Sequence, residues 1–188
     1  CAGAPTVEAV GGRYLMVTPP PSLPAVALRV SSAGITCLPR YVDATGRLVD
    51  EPVYRSSADW DTILIADEET VPSTLYEVRS AVLSGGSPAF SGPASATTWL
   101  WGDTTGDAAT TVLDILCVLD GFQDVFGQCS LAGDDLMGEV PDADINLLDI
   151  TAVCDAFGGL PYPDSNPCGA SKAGRGPAVL LIVAPRAA

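Results

Sequence analysis

Two stretches of this chain repeat each other. Residues 113–122 and 148–157, offset by 35, are identical at six of ten positions: Leu113/Leu148, Asp114/Asp149, Ile115/Ile150, Val118/Val153, Asp120/Asp155 and Phe122/Phe157. Apolar residues recur at helical intervals in both copies, so each reads as a helix beginning near its Leu-Asp-Ile. A duplicated unit of loop plus helix therefore organises this half of the chain.

The residues before each helix are acidic at ordered spacings. Calcium takes six to eight oxygens, and a 12-residue loop supplies them from positions 1, 3, 5, 7, 9 and 12, with a backbone carbonyl at position 7. Counted from Asp103, those positions are Asp103, Thr105, Asp107, Ala109, Thr111 and Asp114. Asp103, Asp107 and Asp114 would give carboxylates, Thr105 a hydroxyl and Ala109 its carbonyl, with Thr111 acting through water. Asp114 also opens the helix, where a carboxylate meets free amide groups and the positive dipole end. Counting back from Asp149 gives Asn146, Asp144 and Asp142, but Gly138 falls where the first ligand belongs. A loop lengthened by three residues lets Asp135 serve instead. The second ligand set is thus Asp135, Asp142, Asn146 and Asp149, with Asp144 through its carbonyl and Glu139 in reserve. Two calcium ions are expected, and magnesium is disfavoured because it dehydrates reluctantly.

Net charge supports this reading. The chain carries −14 overall, no Lys or Arg lies between Arg79 and Lys172, and 13 of the 23 acidic residues fall within 99–168. Such a chain repels nucleic acid and anionic membranes. Catalysis finds no support either: histidine, a Gly-x-Ser-x-Gly elbow and a phosphate-binding glycine loop are all absent. The aspartates are accounted for as ligands, and a small sandwich leaves little room for a glycosidase cleft between paired carboxylates.

The repeated loop and helix over Trp101–Phe157 resemble the dockerin family, on the strength of Gly102-Asp103 opening the first loop, the Leu-Asp-Ile at each helix start, and Asp as last ligand. The resemblance implies two EF-hand-like calcium loops, each followed by a helix, and a cohesin-type receptor as partner. Departures are Ala108 in place of the usual Gly at loop position 6, Thr105 in place of a carboxylate or amide, and the longer second loop. They point to weak or moderate affinity, on the order of 10⁻⁵–10⁻³ M.

The first hundred residues read as strands broken by Pro and Gly: 13–18, 25–30, 62–66 and 75–82. In Tyr76-Glu77-Val78-Arg79 the alternation puts Tyr76 and Val78 on a buried face. Val71-Pro72-Ser73-Thr74-Leu75-Tyr76-Glu77-Val78 resembles the corner before the penultimate strand of a fibronectin type III domain, with Tyr76 as its corner tyrosine, and residues 91–98 resemble that family's last strand. Trp60 is the candidate core tryptophan. The expected fold is mainly β with a small α part: an immunoglobulin- or fibronectin-like sandwich over 1–98, a dockerin-like two-helix calcium domain over 99–168, and a linker with a C-terminal strand over 169–188. The apolar run 176–185 is too short to span a bilayer, which takes about 20 residues.

Six cysteines without a CxxC pair or any histidine read as disulfides in an oxidising compartment. The expected pairs are Cys117–Cys154, Cys129–Cys168 and Cys1–Cys37, with lipid modification as a rival fate for Cys1. A start at Cys rather than Met is expected of a mature secreted form, so an extracellular location is expected. Two non-enzymatic functions follow. In one, calcium stiffens a subunit that polymerises into an extracellular fibre by exchanging a terminal strand, either 5–10 or 178–183. In the other, the helices tether the chain to a cohesin-like receptor. The fibre is favoured, because no cargo domain is evident and because Cys117 against Ala152 and Leu119 against Cys154 break the symmetry of the two helices.

Overall fold

A computed structural model describes residues 3–127, 129–137, 141–163 and 167–168. The chain is mainly β with a small helical part, as expected. One antiparallel sheet holds β1 (Thr6–Ala9), β2 (Leu15–Thr18) and β6 (Ile63–Ile65) in the order β1-β2-β6. The second runs β5-β4-β3-β7-β8, from β5 (Leu48–Val49), β4 (Arg40–Val42), β3 (Ala27–Ser31), β7 (Leu75–Ser84) and β8 (Ser87–Phe90). The strand β9 (Ala94–Thr97) also pairs with β7, beyond β8, so residues 87–97 flank one long strand in two pieces.

Alternation along the strands makes this a sandwich. Leu15 and Val17 are buried while Met16 and Thr18 face water, and Ile63 and Ile65 continue the same inner face. Leu28 and Val30 of β3 and Tyr76 and Val78 of β7 close the core from the other sheet. Trp60 ends the short helix α1 (Ser57–Trp60) and fills the core, its indole N–H donating to the Val26 carbonyl at 2.7 Å. Tyr76 takes the corner position: its hydroxyl donates to the Glu69 carbonyl at 2.7 Å and accepts from the Val71 amide at 2.8 Å.

Three further helices follow: α2 (Val112–Gly121), α3 (Leu131–Asp134) and α4 (Leu147–Phe157). The repeat positions Val118 and Val153 are fully buried and form a second core with Leu136, Ile145 and Ala152. The helical unit leans on the sandwich. Trp99 donates from its amide to Gly11 and accepts from Ser73, and Gly11 comes so near α3 that a Cβ would lie 2.2 Å from the Ala132 carbonyl oxygen.

The cysteine pairing differs from expectation. Cys37 is bonded to Cys168 and Cys117 to Cys129, while Cys154 is exposed without a disulfide partner. The repeat equivalent of Cys117 is Ala152, which faces α2. Cys154 lies two residues on, about 200° around the helix, and so turns away from Cys117. The expected Cys1 pairing, Glu139 and the apolar run 176–185 lie outside the described residues.

Candidate metal centre

The first loop is folded around its own carboxylates. Asp103, 1% exposed, accepts at Oδ1 from the Gly106 amide (2.7 Å) and at Oδ2 from the Ala108 amide (2.9 Å). Asp114 is fully buried; its Oδ1 accepts from the amides of Thr104 (2.8 Å) and Thr105 (3.1 Å), and its Oδ2 from the Thr111 amide (2.6 Å). The Thr105 hydroxyl also donates to Asp114, at 3.2 Å. Thr111 is the N-cap of α2 and forms a capping box with Asp114. Asp107 is exposed and accepts from the Ala109 amide at 2.9 Å.

The second loop repeats this scheme with three more residues in it. Asp149, fully buried, accepts at Oδ1 from Leu136 and Met137 (both 2.8 Å) and at Oδ2 from Asn146 (2.9 Å). Asn146 caps α4 as Thr111 caps α2; its Nδ2 donates to the Asp144 carbonyl at 3.3 Å. Exposed Asp142 accepts from the Asp144 amide at 3.1 Å, as Asp107 does from Ala109. Asp135 stands where Asp103 stands in the first loop: its Oδ2 accepts from the Ala143 amide at 2.7 Å, and Ala108 and Ala143 both take left-handed backbone, φ +67° and +59°.

Each loop thus places its outer aspartates over one run of amide groups, with the middle carboxylate toward solvent. Within neither loop do three carboxylates close to within 4.8 Å among the described residues. Groups that do so are Asp67, Glu68 and Glu69 in the sandwich, and Asp134 with Cys117 and Cys129. The latter two sulfurs are joined to each other, which removes them as thiolate ligands.

Electrostatics set the second loop apart. Burial pushes the Asp135 carboxyl up to about 6, with the Asp149 charge adding to it and the Tyr14 and Ala143 hydrogen bonds opposing it. Burial also raises Asp149. Asp134, fully buried, is pushed up to about 7 by burial and by the charges of Asp114, Asp120 and Asp149. At Asp114 burial opposes ionisation, but the amides of Thr111, Thr104 and Thr105 outweigh it and hold the carboxyl below its usual range. Oδ1 of Asp135 and both oxygens of Asp134 lie buried without a hydrogen-bond partner. Carboxylate oxygens withdrawn from water and left unpartnered are what a hard divalent cation compensates, so the residues present fit calcium.

Sequence reasoning missed Asp134, although the Asp-Asp doublet in an otherwise apolar context is a visible signal. It also missed Tyr14, whose hydroxyl donates to Asp135 Oδ2 from 121 residues away, and for which no local signal exists. In the sandwich, buried Arg40 pairs with Glu69 and with Asp50 (3.2 Å). Glu69 is nonetheless pushed up to about 8, by burial first and then by its neighbour Asp67.

No family model matches the chain, and no curated protein matches it. Among solved structures, the FN5 domain of Drosophila Lar is similar at 17% identity, covering 52% of this chain and 97% of that domain with a TM-score of 0.33. A computationally redesigned β-sandwich protein is similar at 17% identity, covering 52% of this chain and 94% of the other with a TM-score of 0.34.

Proposed function

We propose that this chain is an extracellular, non-enzymatic calcium-binding module protein, with one cation held in each loop. Asp103, Thr105, Asp107, Ala109, Thr111 and Asp114 serve the first cation; Asp135, Asp142, Asp144, Asn146 and Asp149 serve the second. The observation that carries the reading is the repeated hydrogen-bond scheme, in which a buried first aspartate and a buried helix-opening aspartate are set over one loop in both copies. Disulfides fit the extracellular setting. Among the described residues no helix is long and apolar enough to cross a membrane.

Within that reading, tethering by the helical unit gains a specific support. Leu113 and Leu148 are each 60% exposed, and Phe122 and Phe157 are 48% and 50% exposed. Cys117 and Ala152, which break the repeat in sequence, are buried in both helices and so do not break this outer face. Repeat-related apolar residues on one outer surface suit a protein receptor of the cohesin type. The fibre reading keeps a support of its own: β1 lies at a sheet edge, hydrogen-bonded on one side by β2 alone, and could leave for a neighbouring subunit.

Calorimetric titration of the full chain with calcium tests the parent claim. Two binding events are expected. Asp114→Ala removes one of them, while Asp124→Ala, outside both loops, leaves both. A chain that takes up no calcium, or an Asp114→Ala variant with two unaltered sites, would sink the reading. Electron microscopy with and without chelator separates the finer alternatives, filaments speaking for strand exchange and dispersed particles for tethering.

A further inference from the structure

The two loops differ in how their first aspartate is held. In the first loop the backbone does all of it: Asp103 accepts from the amides of Gly106, Asp107 and Ala108. In the second, only the Ala143 amide reaches Asp135 among the described residues, and the other donor is the Tyr14 hydroxyl, at the start of β2 in the sandwich. Both donors fall on Oδ2, which leaves Oδ1 buried and without a partner. Tyr14 is itself 1% exposed and cannot swing away without opening the joint. Its backbone is fixed there, since the Tyr14 carbonyl accepts from Val10 at 3.2 Å and neighbouring Gly11 abuts Ala132 of α3. Arg13, also 1% exposed, sits close enough for its charge to act on both Tyr14 and Asp135.

We propose that Tyr14 is a positioning residue of the second cation site, contributed by the sandwich: its hydroxyl replaces the backbone donors that the lengthened loop lacks, and turns Asp135 Oδ1 toward the cation. The proposal rests on the reading of both loops as calcium sites. A donor that orients a ligating carboxylate costs roughly 10–100-fold in metal affinity when removed. By linkage, the cation in the second loop also strengthens the joint between sandwich and helical unit, because the same contact serves both.

The test is a pair of calcium titrations on the full chain. With the first loop disabled by Asp103→Ala, adding Tyr14→Phe should weaken the remaining site roughly tenfold or more. With the second loop disabled by Asp149→Ala, adding Tyr14→Phe should leave the remaining affinity within about twofold, which a general loss of structure would not. Equal affinity in the first pair overturns the proposal while the calcium reading stands; no uptake by the unmodified chain overturns both. Should a variant fail to fold, ¹⁹F spectra of the unmodified sequence labelled with 3-fluorotyrosine decide: the Tyr14 resonance must titrate with the calcium event that survives in Asp103→Ala or, if that variant is the one lost, with the event missing from Asp149→Ala. A Tyr14 resonance indifferent to calcium overturns the proposal.

Discussion

Ala108 and Ala143 hold left-handed backbone at the turning point of each loop, a conformation that costs an L-residue about 1–2 kcal/mol. Glycine there removes the strain and returns part of the gain as unfolded-state entropy. Ala108→Gly and Ala143→Gly are therefore each expected to raise stability by about 0.5–1 kcal/mol, read as a shift of the urea midpoint in chelator; a fall would mean that the loop turns elsewhere. A second residue-scale expectation concerns Glu69. Its folded-state carboxyl is raised to about 8 from an ordinary 4.5, so the folded chain holds a proton that the unfolded chain releases above pH 4.5. Its contribution is present at low pH and is lost as pH rises from about 4.5 through about 8. In Glu69→Gln the melting temperature should fall less over that window than in the unmodified chain, and parallel curves would refute the assignment.

The helices and strands were legible in proportion to how local their causes are. The repeats at 112–121 and 147–157 announce their helices by apolar spacing and by Thr111 and Asn146 as caps, and β2, β3, β6 and β7 by alternation or short apolar runs. The short strands β4 and β5 were not legible, because Arg40 is buried by its pairing with Glu69 and Asp50 rather than by its own character. The helix α3 was not legible either: Leu131–Asp134 is one turn, held by the Ser130 cap and by its contact with Gly11. The outer face of the helical unit was misjudged for a related reason. Differences between repeats at Cys117/Ala152 weighed against symmetry, yet those positions face inward, and the exposed ones are shared.

At the scale of the whole molecule, the sandwich and the helical unit are joined by Trp99, by the Tyr14–Asp135 contact and by the Cys37–Cys168 disulfide, which spans 131 residues. Cross-links over long segments limit the unfolded chain, and removing one from a small domain typically costs about 2–5 kcal/mol. Cys168→Ser is expected to lower unfolding stability by that order in denaturant titration; an unchanged midpoint would show that the bond constrains little. The sequence by itself determined the duplicated loop and helix, the acidic ligand pattern and the alternating strands, because spacing along the chain dictates them. Only the tertiary structure decided which cysteines meet, which helix face stays open and that a tyrosine of the sandwich holds an aspartate of the second loop. Those depend on rotation about helix axes and on contacts between residues more than a hundred positions apart, which no local pattern encodes.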